Sequence, residues 1–227
     1  MESIRVLSID DSPLGKVSLH GLKTVSSSNL NPLLGEAEAG KKPDSSSSAL
    51  TLRLPNRGGS GKNVLCTGVV SNGEKIEGII GFRVEKDGND ATEKTINAIK
   101  NSRFGRQVRA IIMHSVTLAG LNILDVKRIS GELKIPIICV TKEKPKEGEI
   151  EKAIGKVFGK RTAERKLELL RNAGSFHKTK NFHFQIYGIT EKEANGILNQ
   201  WKGYPEPLRI AHLIGSAMVK GESKGRA

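Results

Sequence analysis

The chain has 227 residues, 37% of them hydrophobic and 27% charged, which is typical of a globular domain large enough to bury a full core. No apolar run approaches the roughly 20 residues of a membrane helix, and the N-terminal stretch lacks the basic-then-apolar pattern of a signal peptide. We therefore expect a cytoplasmic protein with no membrane contact. The formal charge of +13 favours a polyanionic partner, with nucleic acid the first candidate. A negatively charged membrane surface or ribosomal RNA would also attract a chain of this charge.

The first predicted element is a strand in the stretch IRVLSIDDSP, residues 4–13, which ends in two adjacent carboxylates, Asp10 and Asp11. On an alternating strand these side chains point to opposite faces, so at most one of them faces a site. One interpretation is a solvent-exposed turn, in which Asp11 caps the local backbone and Pro13 stops the strand. The other is that a carboxylate held at the strand end binds a hard divalent cation.

Residues 21–63 interrupt the pattern with the runs SSS and SSSS, a Gly-rich end and no sustained periodicity. We predict a disordered Ser- and Gly-rich insertion within a single domain that spans residues 1–227. The insertion holds six Lys or Arg and three Asp or Glu, so most of the positive charge belongs to the rest of the chain. Its end, GGSGKN, resembles a phosphate-binding loop, but Asn56 and Asn63 stand where that loop needs Gly and Ser or Thr.

The remaining sequence predicts an alternation of strands and helices. Residues 64–71 and 75–85 are β-branched runs separated by the turn NGE, which predicts a hairpin. Helix, strand, helix, strand, two helices, strand and two helices follow at 91–103, 107–116, 121–134, 135–142, 148–158, 162–174, 182–189, 191–201 and 206–219. This order predicts an α/β domain with a mixed sheet flanked by helices, as in the ribonuclease H-like fold. In that fold the first and fourth strands are neighbours, so we expect Asp10 beside the end of the fourth strand.

The two cysteines, Cys66 and Cys139, both lie inside apolar runs, NVLCTGVV and IPIICVT. This placement predicts two buried free thiols rather than a disulfide. Two cysteines are also too few for a cysteine-bound metal cluster.

Three polar positions are predicted close to Asp10. His114 ends the fourth strand, where it is either a polar tip bonded to backbone or a metal ligand or acid–base group. Asp90 and Glu93 open the first helix, and the capping pattern of a helix start explains both residues. Because this helix starts near the centre of the sheet, one of the two acids could also face the site.

Two basic positions are further candidates. Lys142 closes the fifth strand, where it either contacts a phosphate in the crevice or is a solvated charge that opens the loop KEKPKE. His212 lies on one face of the last helix, which it shares with Leu208, Ala211, Gly215 and Met218. Such a histidine is commonly a hydrogen-bonded core residue, and a functional role requires a carboxylate opposite it at the sheet centre.

Five stretches carry a resemblance to a known family: SIDDSP, DGNDATEK, VRAIIMHSVTLAGLNILDVKRIS, IPIICVTKEKP and YPEPLRIAHLIGSAMVKGESKGRA. Together they resemble the archaeal endonuclease dU family, which is itself a distant relative of endonuclease V. The resemblance covers nearly the whole chain except residues 21–63, and the ending that begins with PEPLRIAHLI is specific.

The resemblance implies a metal-dependent endonuclease that acts on deaminated bases in DNA, in DNA repair, with Mg²⁺ or Mn²⁺ as cofactor. The implied site residues are the metal ligand Asp10, an assisting acid at Asp90 or Glu93, and the catalytic residues Lys142 and His212. The expected nucleic-acid contacts are Lys142, Arg209, Lys224 and Arg226.

One position departs from the family pattern. Where relatives read Leu-Asp-Gly at the end of the fourth strand, this chain reads Met113-His114-Ser115. The resemblance implies that His114 replaces the second metal carboxylate by a nitrogen, which Mg²⁺ accepts poorly and Mn²⁺ or Zn²⁺ better. An alternative function is therefore a nucleic-acid-binding protein that keeps the nuclease fold with impaired catalysis. Neither alternative fixes the oligomeric state.

Overall fold

The computed structural model describes residues 4–13, 63–146 and 148–224, which form an α/β fold with a mixed sheet flanked by helices. The strands are β1 (Arg5–Asp11), β2 (Asn63–Asn72), β3 (Lys75–Glu85), β4 (Ala110–Met113), β5 (Thr117–Leu118), β6 (Asn122–Ile123), β7 (Ile137–Thr141), β8 (His177–Lys178) and β9 (His183–Tyr187). The helices are α1 (Ala91–Lys100), α2 (Val126–Leu133), α3 (Glu149–Val157), α4 (Lys160–Asn172), α5 (Glu191–Leu198) and α6 (Glu206–Lys220). No helix in these ranges is long and apolar enough to cross a membrane.

The main sheet holds seven strands in the order β3-β2-β1-β4-β7-β9-β8. The central strands β1, β4 and β7 are parallel, whereas the strands on either side of them pair antiparallel. Ile9 of β1 pairs with Met113 of β4, so Asp10 and His114 follow at the same end of neighbouring strands. The predicted adjacency of the first and fourth strands is therefore confirmed.

The predicted hairpin is formed by β2 and β3. The turn between them contains Gly73, whose φ of 60° lies in the left-handed region that glycine adopts without strain. A register shift between Val70 and Ser71 marks a bulge in the pair. Because β2 also pairs with β1, the hairpin extends the sheet on the side of Asp10.

One face of the sheet packs against α1 and α2. Leu7 and Ile9 of β1 lie there, in a core cluster that also holds Ile111 of β4, Ile96 of α1 and Ile129 of α2. These apolar residues recur at the spacing of one face of a strand or of a helix, and this spacing indicates that they are buried. Since side chains alternate along β1, the next residue on this face is Asp11.

The opposite face packs against α5 and α6. Val6 of β1 and Ile112 of β4 lie there, together with Leu198 of α5 and Leu208 of α6. By the same alternation, Asp10 belongs to this face. The two adjacent carboxylates thus point to opposite sides of the sheet, as predicted.

The helix predicted over 121–134 begins only at Val126. Asn122 and Ile123 instead form β6, which pairs with β5 in a second, two-stranded sheet. The apolar residues in this stretch fit helical spacing by chance, and strands of two residues carry no periodicity of their own.

Two other elements are shorter than predicted. The strand expected over 107–116 covers only Ala110–Met113, and the helix expected over 91–103 ends at Lys100. By contrast, the predicted capping box of α5 is present: the Thr190 hydroxyl accepts a bond from the backbone N–H of Glu193, whose carboxylate accepts from Thr190.

Both cysteines are buried free thiols, as predicted. Burial raises the pKa of Cys139 to about 12, and burial also raises the pKa of Cys66. Both thiols are therefore protonated and unreactive at neutral pH.

The predicted insertion at 21–63 lies outside the described residues, except for Asn63, which is the first residue of β2. The described residues belong to one compact unit. The single domain over 1–227 stays a prediction.

Helix α6 lies close to the ends of β1 and β2 because it carries Gly215 at the contact. A Cβ atom at this position would lie 2.6 Å from Oγ of Ser12 and 3.2 Å from Oγ1 of Thr67. Ser12 and Thr67 are both buried, so neither has room to retreat. The glycine therefore sets the distance between α6 and the strand that carries Asp10.

The substitution Gly215→Ala is expected to lower the free energy of unfolding by about 1–3 kcal/mol, because the added methyl group forces α6 away from the sheet. Urea unfolding of both proteins measures the change. Gly155→Ala is the matched control: no atom lies within 4 Å of its added Cβ in α3, and alanine in a helix is favoured by roughly 0.5–1 kcal/mol. Equal stability of Gly215→Ala and the wild type would contradict the close approach.

Candidate functional site

Asp10 lies at the carboxyl end of β1, in the centre of the sheet. Only 5% of the residue is exposed. Its Oδ1 accepts a hydrogen bond from the backbone N–H of Asp11 at 2.9 Å, and its Oδ2 lies 3.0 Å from Nδ1 of His212. A buried carboxylate is costly without partners, and these two bonds offset part of that cost.

His212 reaches Asp10 from α6. The helix begins with Pro207 in its first turn, as predicted, and it buries Leu208 and Ala211 against the sheet. His212 lies beside this buried face and remains partly exposed. Met218, which was predicted on the same inward face, is 56% exposed, so the prediction is wrong for this residue. The structure thus supplies the carboxylate opposite His212 that a functional role requires.

The contact between His212 and Asp10 is electrostatic as well as a hydrogen bond. The bond to Asp10 raises the pKa of His212, burial lowers it, and the negative charges of Asp10 and Asp11 raise it further. The net effect is a raised pKa, so His212 holds a proton more firmly than a free histidine does. Protonated, its Nδ1 donates to Oδ2 of Asp10.

Tyr204 connects two other predicted site residues. Its hydroxyl lies 2.7 Å from Nδ1 of His114, and Nζ of Lys142 lies 5.4 Å from the centroid of its ring. Phe182 packs edge-on against the same ring. Burial and the charge of Asp10 raise the pKa of the phenol, so the hydroxyl stays protonated at neutral pH. Among the described residues, Nε2 of His114 has no hydrogen-bond partner.

Asp11 has a different role from Asp10. Its Oδ2 accepts a hydrogen bond at 3.0 Å from the backbone N–H of Ala119, in the turn between β5 and β6. Burial and the charge of Asp10 raise the pKa of Asp11 to about 6, while the bond from Ala119 lowers it. The interpretation of Asp11 as the start of a solvent-exposed turn is therefore wrong. The residue attaches a distant turn to β1, which local sequence spacing does not reveal.

Asp90 occupies the N-cap position of α1 but does not cap the helix with its side chain. Its carboxylate accepts instead from the backbone N–H of Glu85 at 3.0 Å and from Nδ2 of Asn122 at 2.8 Å. Glu93 is exposed in the first turn of α1. The predicted capping by Asp90 is wrong because β3 and Asn122 compete for the carboxylate.

A buried lysine supports the same loop between β3 and α1. Nζ of Lys166 in α4 donates to the carbonyl oxygens of Gly88 at 2.6 Å and Leu121 at 2.8 Å. It also lies 4.5 Å from the centroid of the Phe158 ring. Burial lowers the pKa of Lys166, and the charge of Asp87 opposes that change. A single lysine in a charged helix gives no sequence signal of this kind.

The structure brings four predicted site residues to one place and leaves two elsewhere. Those brought together are Asp10, His114, Lys142 and His212, at the carboxyl ends of β1, β4 and β7 and on the facing side of α6. Asp90 and Glu93 lie at the start of α1, on the opposite face of the sheet from Asp10. Asp90 is nevertheless near enough to raise the pKa of Cys66, after burial and the charges of Asp11 and Asp10.

Within the described ranges, no group of three or more His, Cys, Asp and Glu side chains is arranged to hold a metal ion. Of the predicted nucleic-acid contacts, Arg209 forms an ion pair with Glu206 on α6, and Lys224 is exposed after the helix. Arg226 lies outside the described residues. Tyr204 was not predicted, and its one sequence signal is its place at the start of the stretch YPEPLRIAHLI.

These features define an α/β protein in which a buried aspartate contacts a partly exposed histidine where the central parallel strands end. The chain belongs to the Endonuclease dU family, whose sequence profile matches residues 51–219, so the predicted family is confirmed. The UPF0215 protein of Thermococcus sibiricus is 38% identical over 168 residues, which cover 72% of this chain and 85% of that protein. The UPF0215 protein of Archaeoglobus fulgidus is 34% identical over 163 residues, which cover 70% and 88%.

Solved structures are also similar. A protein of unknown function from Archaeoglobus fulgidus superposes with a TM-score of 0.69 and 25% identity, over 95% of this chain and 98% of that chain. Endonuclease V of Ciona intestinalis, in complex with a 24mer DNA containing an inosine followed by a ribo-adenosine, gives a TM-score of 0.43 and 10% identity. That match covers 92% of this chain and 82% of the other, and the similarity is too low to carry an argument.

Proposed function

We propose that this chain is a divalent-metal-dependent endonuclease that cuts DNA at deaminated bases, on a ribonuclease H-like fold. Membership of the Endonuclease dU family supports the activity. The strand order β3-β2-β1-β4-β7, with β1 parallel to β4, supports the fold. The observation that carries the proposal is the contact between the buried Asp10 and the partly exposed His212, 3.0 Å apart, where the central strands end. In open α/β sheets, ligands bind at the carboxyl ends of the strands.

The donors of Asp10 and His114 fit a divalent cation. Each carboxylate oxygen of Asp10 takes part in one hydrogen bond, which leaves lone pairs for a ligand bond. The buried hydroxyl of Ser12 also lacks a partner within the described part of the chain. Mg²⁺ is commonly held by one or two carboxylates together with water and substrate phosphate, so few protein donors suffice. A nitrogen ligand from His114 favours Mn²⁺ or Zn²⁺ over Mg²⁺.

In this proposal, Asp10 and His114 would hold a divalent cation, which would supply Lewis acidity at the phosphodiester. A water molecule forms the new bond to phosphorus as the bond to the leaving oxygen breaks, and the proton that the water loses passes to solvent. His212, whose pKa is raised by the hydrogen bond to Asp10, donates a proton to the leaving oxygen. Lys142, exposed beside Tyr204, neutralises charge that develops on the phosphate. The positive charge of the chain provides affinity for nucleic acid that does not depend on sequence and that falls with salt.

A second candidate function is nucleic-acid binding without catalysis. It is favoured by His114 at the end of β4, where a carboxylate would complete a pair of oxygen ligands with Asp10, and by the lack of a ready three-residue ligand group among the described residues. Both functions predict binding that weakens with salt. Only the first predicts that phosphodiester bonds are broken.

The deciding experiment is cleavage of labelled single- and double-stranded oligonucleotides that carry one uracil, one hypoxanthine or no lesion. We expect the wild type to cut lesion-bearing strands with Mn²⁺ or Mg²⁺ and to stop cutting in EDTA. If the wild type binds but never cuts, and His114→Asp cuts with Mg²⁺, the second function is correct. If neither protein binds or cuts, both functions are wrong.

A further inference from the structure

The imidazole ring of His114 is held by Tyr204. The Tyr204 hydroxyl lies 2.7 Å from Nδ1 of His114, and the two rings meet edge-on with their centroids 6.4 Å apart. The two residues are 90 positions apart in the chain, since His114 follows β4 and Tyr204 precedes α6. Among the described residues this is the one hydrogen bond of the ring, so Tyr204 governs which ring nitrogen is free to bind a ligand.

The phenol ring of Tyr204 is fixed by contacts that do not involve its hydroxyl. Phe182 packs edge-on against the ring with its centroid 6.2 Å away, and Nζ of Lys142 lies 5.4 Å from the ring centroid. The ring also packs against the core cluster that holds Leu208 of α6. Removal of the oxygen alone, as in Tyr204→Phe, therefore leaves the ring in place and takes away only the bond to His114.

His114 and Tyr204 lie on the same side of the sheet as Asp10. Asp10 and His114 follow the paired residues Ile9 and Met113. Because side chains alternate along a strand, His114 points to the face that carries Asp10, which α6 covers. Burial and the charge of Asp10 raise the pKa of the Tyr204 phenol, so the phenol is within electrostatic reach of this carboxylate. The ring of His114 is thus held beside the candidate metal ligand.

A hydroxyl at Nδ1 suits both neutral forms of the ring. A neutral imidazole has one N–H group and one nitrogen with a free lone pair, and a phenol hydroxyl both donates and accepts. When Nδ1 has no hydrogen, the Tyr204 hydroxyl donates to it. When Nε2 of His114 binds a metal ion, the hydrogen must be on Nδ1, and a metal-bound histidine commonly donates this second N–H to a neighbouring acceptor. The Tyr204 oxygen is in place to accept it.

We propose that Tyr204 is a positioning residue of the candidate metal site: its oxygen accepts the Nδ1–H of His114 and so presents Nε2 to a divalent cation held by Asp10. The inference rests on the proposed function, which supplies the metal site. A purely structural role is the alternative, in which the hydrogen bond only attaches the segment before α6 to the end of β4. That role would change stability and leave metal affinity as it is.

The experiment measures the affinity of the full chain for Mn²⁺ without nucleic acid, from the electron paramagnetic resonance signal of free Mn²⁺. Tyr204→Phe is expected to weaken Mn²⁺ binding by about 10–100-fold. Tyr187→Phe is the matched control. Tyr187 ends β9 and pairs with Ile137, the first residue of β7, so it lies at the opposite end of the sheet from His114. The control is expected to bind Mn²⁺ like the wild type, and urea unfolding checks that each variant is folded.

A double-mutant cycle with His114→Asp separates positioning from a structural role. A carboxylate at position 114 binds a metal through its own oxygens and has no ring hydrogen to place. The phenol can only donate to such a carboxylate, which does not strengthen the bond to the metal. In the His114→Asp background, Tyr204→Phe is therefore expected to change the Mn²⁺ affinity by less than about twofold.

Equal Mn²⁺ affinity of Tyr204→Phe and the wild type would overturn the inference and leave the nuclease proposal untouched. An equal loss of affinity in the wild-type and His114→Asp backgrounds would overturn it as well, since the effect would not pass through the imidazole. The expected pattern in a protein that never cuts would keep the inference and contradict the nuclease. A wild type that does not bind Mn²⁺ would contradict both.

Discussion

Replacing Asp10 with Asn is expected to lower cleavage by at least about 10³-fold, equivalent to ~4 kcal/mol of transition-state stabilisation, because a neutral amide binds a divalent cation poorly. The fold should persist. The Asn side chain has the same shape, its oxygen can still accept from the backbone N–H of Asp11, and its NH₂ group can donate to Nδ1 of His212. We therefore expect the free energy of unfolding to change by no more than about 1 kcal/mol. Single-turnover cleavage and urea unfolding measure the two effects separately.

The matched control is Asp125→Asn, which makes the same change of charge at the start of α2. Asp125 caps this helix by accepting from the backbone N–H of Arg128 at 2.9 Å, and asparagine is an equally good cap. The control should cleave like the wild type and be similarly stable. If Asp10→Asn cuts as fast as this control, Asp10 does not hold a catalytic metal.

Replacing Asn122 with Leu is expected to lower the free energy of unfolding by about 4 kcal/mol and the melting temperature by roughly 10 °C. Asn122 is fully buried. Its Oδ1 accepts from the backbone N–H of Ala91 at 3.2 Å, and its Nδ2 donates to the carbonyl oxygen of Glu85 at 2.9 Å and to Asp90 at 2.8 Å. Leucine leaves the backbone N–H of Ala91 unpaired, at a cost of about 1–3 kcal/mol. It also removes one bond each from the carbonyl oxygen of Glu85 and from Asp90, which keep their bonds from the N–H groups of Gly88 and Glu85, at a cost of about 0.5–1.5 kcal/mol each. Calorimetry or urea unfolding measures the loss.

Asn97→Leu provides the comparison for this variant, since the same side chain is exposed on α1. A surface substitution of this kind is expected to change the free energy of unfolding by no more than about 0.5 kcal/mol. Were Asn122→Leu as mild as Asn97→Leu, the hydrogen bonds between the β3–α1 loop and β6 would contribute little to stability.

The central part of the fold could be predicted from sequence because the spacing of apolar residues indicates its strands and helices. Apolar runs such as RAIIM and IPIICV indicate buried strands, and the alternation of strand and helix signals predicts parallel neighbours in the sheet. From there, Asp10 at the end of β1 and His114 at the end of β4 follow directly, since their strands are adjacent. His212 follows from helical spacing on α6.

The rest depends on contacts between residues far apart in the chain. The partner of His114 is Tyr204, which lies in the segment before α6, and the partner of Asp90 is Asn122, in a strand of two residues. Neither contact leaves a periodic pattern. Gln185 was equally hidden, because a polar residue on an alternating strand is normally assigned to solvent. Gln185 is nevertheless only 8% exposed, and its Nε2 donates to the carbonyl oxygen of Gly174, which follows α4.

The contact between Asp10 and His212 joins positions 202 residues apart, one on the first described strand and the other on the last described helix. If this pair is the reaction centre, a growing polypeptide has no nuclease activity until α6 has left the ribosome and has packed against β1. A fragment released by a protease that loses either end is equally inert. Under the proposed function, this arrangement would keep unfinished or truncated copies of a chain with a formal charge of +13 from cutting nucleic acid.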